Sequence, residues 1–264
     1  MKKAVWIIGH GSSKQEWVDQ VDQELARVST DLPIILSFLE KVEGRLIADG
    51  LHQLNKIGAE DVLVIPLFVS SASTHIAEIK SMLSSFAADV YSQSEQKIKF
   101  SYAPCMDDHD LVIQNIVMEA KRLAEQPISD ETGSENVLLL IAHGSDERDY
   151  QEKWQQILKN IVHKVELAIG LKPSFKQIDF ATFLPYTIEN KLKDLERNLG
   201  TGHTVIVIPL FLSTGVFTNK KIPQILDSFP ANFIKYNSVA YLNPSNEHWI
   251  HQWIKFQIDA FQSN

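Results

Sequence analysis

Short, continuous apolar runs alternate along the chain with stripes of apolar residues at helical spacing. The run Ala4–Ile8 is closed by Gly9, as is typical of a strand that is covered on both faces. An amphipathic helix is predicted after it from spacings of four, four and three between apolar residues: Trp17, Val21, Leu25 and Val28. The same patterns predict a strand ending near Phe38, a helix with Leu51, Leu54 and Ile57 inward and a stop at Gly58, and strands at Val62–Ile65 and Lys97–Tyr102.

The N-terminal half of the chain is repeated in its C-terminal half. The segment from Val5 to Ser12 returns as Leu138 to Ser145, an offset of 133 residues. Further matches, in the same order, are Ser37-Phe38-Leu39-Glu40 with Thr182-Phe183-Leu184-Pro185 (offset 145) and Val64–Phe68 with Val207–Phe211 (offset 143). The offsets change by loop-sized amounts while the order is kept. Two homologous lobes are therefore predicted, over residues 1–125 and 136–264, joined by a polar linker over residues 126–135.

The second lobe carries the counterparts of the elements in the first. They are a helical stripe at Tyr150, Trp154, Ile157 and Ile161, a strand ending near Phe183, a helix over Leu192, Leu195 and Leu199 with a stop at Gly200, and strands at Val205–Ile208 and Ser238–Tyr241. A final helix presents Trp249, Trp253 and Phe256 at spacings of four and three, which we interpret as core packing. Alternating strands and helices predict an α/β fold, in which each lobe is doubly wound around a mainly parallel four-stranded sheet flanked by helices.

Candidate chemistry follows the ends of the first three strands. In open parallel sheets, ligands bind outside the carboxyl ends of the strands. His10 follows the first strand, Glu40 the second, and His75 lies in the loop after the third, so the three side chains should converge. Two imidazoles and a carboxylate suit Co²⁺, Fe²⁺, Ni²⁺ or Zn²⁺ and leave positions open for a substrate. Taken singly, His10 is also explained as a hydrogen-bonded turn residue and His75 as a solvent-exposed one.

The second lobe does not repeat this set of side chains. His143 matches His10, but Pro185 matches Glu40 and Phe217 falls near the position of His75. Proline and phenylalanine neither bind a metal nor move a proton, so this lobe is predicted to be a scaffold or a wall of the cleft, with a structural His143. In the first lobe Glu78 follows His75 by three residues, and it would either orient His75, help to feed in metal ions, or be a solvated carboxylate.

Composition and charge exclude several classes of function. The net charge is −8 and no Lys/Arg cluster is present, which argues against nucleic-acid binding. No apolar run approaches the roughly 20 residues of a membrane span. The single cysteine, Cys105, excludes an internal disulfide and a Cys-based zinc site, so a cytoplasmic location is expected. Glycine-rich phosphate loops are absent, and Ser12 and Ser145 lie outside the Gly-x-Ser-x-Gly pattern of serine hydrolases.

Four segments of the first lobe carry a resemblance to a known family: Gly9-His10-Gly11-Ser12, Phe38-Leu39-Glu40, Ile57-Gly58-Ala59, and Val64-Ile65-Pro66-Leu67-Phe68 with His75 beyond it. In this order they resemble the class II chelatases, in particular the sirohydrochlorin cobaltochelatase and ferrochelatase (CbiX and SirB type) family in its long, two-lobed form. In the second lobe, Ile208–Gly215 and Lys221-Ile222-Pro223 are similar to the same family's loop. The resemblance covers nearly the whole chain.

The resemblance implies a lyase that inserts Co²⁺ or Fe²⁺ into sirohydrochlorin without ATP, in cobalamin or siroheme biosynthesis. By position, His10 and His75 would bind the incoming metal, and Glu40 would assist proton removal from the macrocycle. The partners implied are the tetrapyrrole and the divalent metal, with Ni²⁺ or Zn²⁺ as further metals and no permanently bound cofactor. Neither a membrane nor a nucleic acid is implied, and both a monomer and a homodimer stay open.

One spacing departs from the family. Its second histidine stands eight residues after the loop proline and is followed four residues later by an aspartate. Here His75 stands nine residues after Pro66, Glu78 follows three later, and Thr74 occupies the ungapped position. The altered loop and the changed second lobe keep an alternative open, a non-catalytic tetrapyrrole- or metal-binding protein on the same scaffold. A serine-type hydrolase is a distant third.

Overall fold

The computed structural model describes residues 1–93, 98–125, 135–170, 175–199, 203–230, 233–238, 240–242 and 249–263. In chain order its elements are β1 (Lys3–Gly9), α1 (Gln15–Leu25), β2 (Ile34–Phe38), α2 (Ile47–Lys56), β3 (Asp61–Pro66), α3 (Thr74–Gln93), β4 (Lys99–Tyr102), α4 (Asp110–Ala124), β5 (Glu135–Gly144), α5 (Arg148–Ile169), β6 (Phe175–Leu184), α6 (Ile188–Leu199), β7 (His203–Pro209), a π-helical turn (Phe217–Lys221), α7 (Ile222–Leu226), β8 (Ile234–Tyr236) and α8 (Ile250–Gln262). The predicted linker lies outside the described residues except for Glu135, which begins β5.

Two parallel four-stranded sheets form the fold, in the orders β2-β1-β3-β4 and β6-β5-β7-β8. The chain divides into two compact units, one of residues 1–106 with 247–264 and one of residues 107–246, and each unit contains one sheet. Every strand pair in both sheets is parallel, as the alternation of strands and helices requires. The predicted fold class is confirmed.

The central strand of each sheet explains why the continuous apolar runs form strands. In β1, the residues from Ala4 to Ile8 are fully buried, and so are the residues from Val137 to Ala142 in β5. Each central strand is bonded to a neighbour on either side and is covered by helices above and below, so both of its faces must be apolar. Register then places the carboxyl end of β1 beside that of β2, with Gly9 paired to Phe38.

Two predicted elements differ from the structure. Helix α1 ends at Leu25, so Val28 lies beyond it, although Trp17 and Val21 are buried as predicted. The fourth strand of the second sheet is β8, over Ile234–Tyr236. Of the predicted strand Ser238–Tyr241, Val239 lies outside the described residues and the other three residues are not in a strand.

The backbone of the misassigned segment explains this second error. Tyr241 and Leu242 donate hydrogen bonds to the carbonyl oxygens of Phe211 and Leu212, at 3.0 and 2.6 Å. These acceptors lie past the end of β7, and Leu242 forms only an isolated parallel bridge, with Ser213. The apolar character of this segment reflects packing against a loop, because Tyr241 and Leu242 are buried without belonging to a strand.

Two helices belong to a different compact unit from the one that the order of the sequence repeat predicts. Helix α4 follows β4 of the first sheet but belongs to the second unit, where Lys164 of α5 donates a hydrogen bond to the carbonyl oxygen of Asp108 at 2.7 Å. Helix α8 belongs to the first unit, where the backbone NH of His251 donates to the buried carboxylate of Glu24 at 3.0 Å. The division into lobes at residues 126–135 stays a prediction about the repeat.

Helix α8 buries one face and exposes the other. Trp253 is fully buried and Trp249 nearly so, which agrees with a packing role, whereas Phe256 is 57% exposed. Among the described residues there is no helix with the length and apolar character that crossing a bilayer demands.

The packing of α8 predicts that Trp253→Ala destabilises the protein far more than Phe256→Ala does. Removing a fully buried tryptophan loses its transfer free energy and leaves a cavity, at a cost of about 3–5 kcal/mol. Phe256 is exposed, so its removal should cost less than about 1 kcal/mol. The free energy of unfolding in urea measures both changes, and equal losses would contradict the burial of Trp253 in the first unit.

Candidate active site

The carboxyl ends of β1, β2 and β3 bring His10, Glu40 and His75 together. His10 directly follows β1, Glu40 lies two residues past β2, and His75 is the second residue of α3. The imidazole rings of His10 and His75 meet edge to face, with centroids 4.5 Å apart and planes at 71°. The Nδ1 atom of His10 is 3.6 Å from Oε1 of Glu40. The one-residue shift in the loop after Pro66 therefore does not move His75 away from His10.

A close approach of two backbone segments sets this geometry. The pairing of β1 with β2 continues past both strands, because the backbone NH groups of Leu39 and Glu40 donate to the carbonyl oxygens of Gly9 and His10, at 3.0 and 3.1 Å. Gly11 has a φ of +99°, and a Cβ atom there would lie 2.0 Å from the carbonyl oxygen of Glu40. Only glycine fits this position, and it holds His10 beside Glu40.

A backbone carbonyl determines which ring nitrogen of His10 carries the hydrogen. Its Nδ1 atom lies 3.1 Å from the carbonyl oxygen of Gly11. A carbonyl oxygen only accepts hydrogen bonds, so Nδ1 carries the hydrogen in this contact. The neutral ring is then left with its lone pair on Nε2, the atom available to a metal ion.

The carboxylate of Glu40 contacts the ammonium group of its neighbour Lys41. The hydrogen bond from Lys41 is the main reason why the pKa of Glu40 is lowered; burial opposes it, and the charge of Lys41, with those of His10 and His75 when their rings are protonated, lowers the pKa further. Glu40 is therefore ionised at neutral pH. Lys41 has a φ of +67°, in the left-handed region that non-glycine residues rarely adopt.

Lys41 is a feature of the site that the sequence does not reveal. A lysine next to a candidate carboxylate is an ordinary surface residue in any sequence pattern, and it becomes distinctive only through its left-handed backbone and its contact with Glu40. Over the described ranges, no group of three or more His, Cys, Asp or Glu side chains stands in an arrangement that could hold a metal ion. The assignment of His10 and His75 as metal ligands stays a prediction.

The second unit repeats the backbone of the site with different side chains. His143 Nδ1 lies 3.0 Å from the carbonyl oxygen of Gly144, whose φ is +74°. A Cβ atom on Gly144 would lie 1.9 Å from the carbonyl oxygen of Leu184, just as one on Gly11 would meet Glu40. The counterpart of Glu40 is therefore Leu184. The sequence match with Pro185 was wrong by one residue, because the register pairs Gly144 with Leu184.

Phe217 takes the place of His75 in the second unit. Its ring meets that of His143 edge to face, with centroids 5.1 Å apart and planes at 75°. Phe183 and Phe211 pack against the same phenyl ring, with centroids 4.9 and 5.5 Å away, and the ammonium of Lys221 lies 4.4 Å from its centroid. The two positions that carry a base and an imidazole in the first unit are thus apolar in the second.

The cluster Asp107-Asp108-His109-Asp110 has a structural role. His109 caps helix α4, since the backbone NH of Leu111 donates to its Nδ1 atom at 3.2 Å. Burial lowers the pKa of His109. Lys164 lies 3.1 Å from a carboxylate oxygen of Asp108 and 3.6 Å from one of Asp110. The acidic run Asp107–Asp110 therefore leads into helix α4, where acidic groups are favourable near the first turn.

Known proteins resemble this chain in sequence and in fold. The protein-family model described as CbiX matches the chain twice, at residues 4–123 and 137–255. The sirohydrochlorin cobaltochelatase of Priestia megaterium is 24% identical over 231 residues, which cover 86% of this chain and 69% of that protein. The two matches of the family model account for both halves of the sequence repeat.

Solved structures of similar fold cover nearly the whole chain. SirB from Bacillus subtilis with Fe³⁺ has a TM-score of 0.74 at 20% identity, over 98% of this chain and 95% of its own. SirB from Bacillus subtilis subspecies spizizenii in complex with cobalt has a TM-score of 0.66 at 20% identity, over 97% of this chain and 94% of its own. CbiX, the terminal enzyme for biosynthesis of siroheme in denitrifying bacteria, has a TM-score of 0.56 at 17% identity, over 97% of this chain and 98% of its own. At these identities the likeness establishes the fold.

Replacing Gly11 by alanine should destabilise the first unit strongly. The added Cβ would overlap the carbonyl oxygen of Glu40, so the two strand ends must separate, in addition to the roughly 1–2 kcal/mol for a left-handed residue. Gly44→Ala is the matched control, because Gly44 has a φ of +76° and its Cβ would meet nothing within 4 Å. Urea unfolding should show a loss for Gly11→Ala that exceeds the control severalfold, and equal losses would contradict the close approach.

Replacing Lys41 by methionine should raise the pKa of Glu40 toward its ordinary value. The ammonium hydrogen bond favours the ionised carboxylate, so its removal must shift the titration to higher pH. Carboxyl ¹³C NMR titration, with Glu40→Gln to identify the resonance, measures the change. Lys56→Met, at an exposed lysine of α2, should leave the titration unmoved. An unchanged pKa in Lys41→Met would show that the ion pair does not form.

Proposed function

The chain belongs to the CbiX family, and on that premise we propose that it is a metal chelatase that inserts a divalent ion into sirohydrochlorin or a related tetrapyrrole. The observation that carries the proposal is the meeting of His10 and His75, ring against ring, with the Glu40 carboxylate 3.6 Å from His10. The names of the relatives support it, since one is a sirohydrochlorin cobaltochelatase and another a sirohydrochlorin chelatase in complex with cobalt.

The reaction requires the ion to lose water and the macrocycle to lose two pyrrole N–H protons. His10 and His75 would hold the partly dehydrated ion, because neutral imidazoles bind borderline metals without cancelling their charge. Holding the ion against the macrocycle removes much of the entropic barrier to insertion. The doubly deprotonated macrocycle then balances the 2+ charge of the metal.

Glu40 would receive the protons that leave the macrocycle. Its carboxylate is ionised and stands beside His10, so it can accept a pyrrole proton and release it to water before the second one leaves. Lys41 would have to release one carboxylate oxygen for this step, since it contacts Glu40 in the structure.

We assign the reaction to the N-terminal lobe, residues 1–125, and a non-catalytic role to the C-terminal lobe, residues 136–264. Leu184 and Phe217 support this assignment, because neither accepts a proton or binds a metal at the positions of Glu40 and His75. Co²⁺ and Fe²⁺ are the proposed metals, and cobalamin and siroheme biosynthesis the proposed pathways. The single cysteine favours a cytoplasmic enzyme.

One observation favours a second candidate, a protein that binds a tetrapyrrole or a metal without catalysing insertion. The ammonium of Lys41 occupies the carboxylate that the reaction needs as a base. Mixing the purified protein with sirohydrochlorin and Co²⁺ or Fe²⁺ distinguishes the two functions, since insertion changes the absorption spectrum of the macrocycle. A chelatase accelerates this change over the protein-free control, whereas a binding protein shifts the spectrum without accelerating insertion.

The proposal predicts unequal effects of three histidine substitutions. His10→Ala and His75→Ala should each lower the rate of metal insertion to that of the protein-free control, and His143→Ala should keep most of the rate. Glu40→Gln should reduce the rate by about 10²–10⁴-fold, which is typical of losing a general base. Initial rates of the absorbance change measure all four variants, and an equal loss from the three histidine variants would contradict a single active lobe.

A further inference from the structure

His75 has a carboxylate partner on its own helix. The Nδ1 atom of His75 lies 3.0 Å from Oε2 of Glu78. The two residues are three apart near the start of α3, a spacing that places both side chains on the same helix face.

We propose that Glu78 is a positioning residue that holds His75 with its hydrogen on Nδ1 and its lone pair on Nε2, ready for the incoming metal ion. A carboxylate only accepts hydrogen bonds, so Nδ1 must be the donor in this contact. Carboxylate partners of this kind fix the tautomer and orientation of metal-binding histidines and raise their basicity. This inference rests on the proposed function of the site.

The neighbours of the His75 imidazole indicate that Glu78 orients this ring and does not simply form a surface ion pair with it. Phe68 lies beside the imidazole of His75, with centroids 5.9 Å apart, and His10 meets it at 4.5 Å. Glu78 therefore holds a ring that already contacts two other rings. The Gly11 carbonyl holds His10 in the same tautomer, with the hydrogen on Nδ1, so both imidazoles leave Nε2 for the metal.

The second unit supplies an internal comparison. Phe217 takes the place of His75, and the charged group beside its ring is the ammonium of Lys221, 4.4 Å from the ring centroid. A phenyl ring has no nitrogen for a carboxylate to orient. The carboxylate is thus present in the unit that has the imidazole and replaced by an ammonium group in the unit that lacks it.

The first test is the tautomer of His75 in the metal-free protein, read from two-bond ¹H–¹⁵N correlations of the imidazole. The wild type should show the hydrogen on Nδ1. Glu78→Met should shift His75 toward the form with hydrogen on Nε2, while Glu78→Gln should retain much of the wild-type form, because its amide oxygen still accepts. His75→Asn identifies the resonances. A Glu78→Met protein that keeps the hydrogen on Nδ1 would overturn the proposal.

The second test is the affinity for Co²⁺ alone, measured by calorimetry on the full chain. Glu78→Met should weaken binding by about 10–100-fold, the range found for partners of metal-binding histidines. The Co²⁺ affinity of Glu78→Gln should lie between that of Glu78→Met and that of the wild type. Glu43→Gln, which removes an exposed carboxylate of the loop after β2, should leave the affinity within about twofold, and a loss as large as that of Glu78→Met would overturn the proposal in favour of a general charge effect.

The two tests separate this inference from the function on which it rests. If His75→Ala weakens Co²⁺ binding and Glu78→Met does not, only the role of Glu78 is overturned. If His75→Ala leaves Co²⁺ binding unchanged, His75 is not a ligand, and both the proposed metal site and the role of Glu78 are overturned.

Discussion

The backbone at Gly11 passes so close to the carbonyl oxygen of Glu40 that no side chain fits between the two strand ends. The rest of the site depends on this contact. It carries the pairing of β1 and β2 two residues past the sheet, turns the Gly11 carbonyl toward Nδ1 of His10, and sets the Glu40 carboxylate beside the same ring. The second unit builds the same contact with Gly144 and Leu184, so the backbone device is independent of the chemistry placed on it.

Much of the fold could be predicted because its causes are local. A continuous apolar run closed by glycine specifies a central strand, and strand order then sends His10, Glu40 and His75 to one edge. Contacts decided by tertiary packing could not be predicted. The apolar stripe of α8 predicts that one face of this helix is buried, but it does not predict that the helix packs in the first unit. Tyr241 and Leu242 are apolar because they pack against the loop after β7, and this pattern resembles that of a strand. The Lys41–Glu40 contact depends on a backbone angle that no pattern encodes.

The two units show how the same scaffold supports different chemistry through few changes. The edge-to-face geometry of His10 with His75 is kept by His143 with Phe217, at similar ring distances and angles. Replacing an imidazole by a phenyl ring preserves the packing while it removes the metal-binding nitrogen. The neighbouring phenylalanines then fill the edge of the sheet with apolar contacts. Shape and reactivity are therefore separable at this position.

The placement of α8 has a consequence for how the chain folds during synthesis. Residues 250–262 are synthesised after the whole second unit, yet the first unit needs Trp253 from this segment in its core and the backbone NH of His251 as a donor to Glu24. Until then, a nascent chain exposes the apolar surface that α8 covers. N-terminal domains commonly fold first during translation, but the first unit of this chain can be completed only after the second unit has been synthesised.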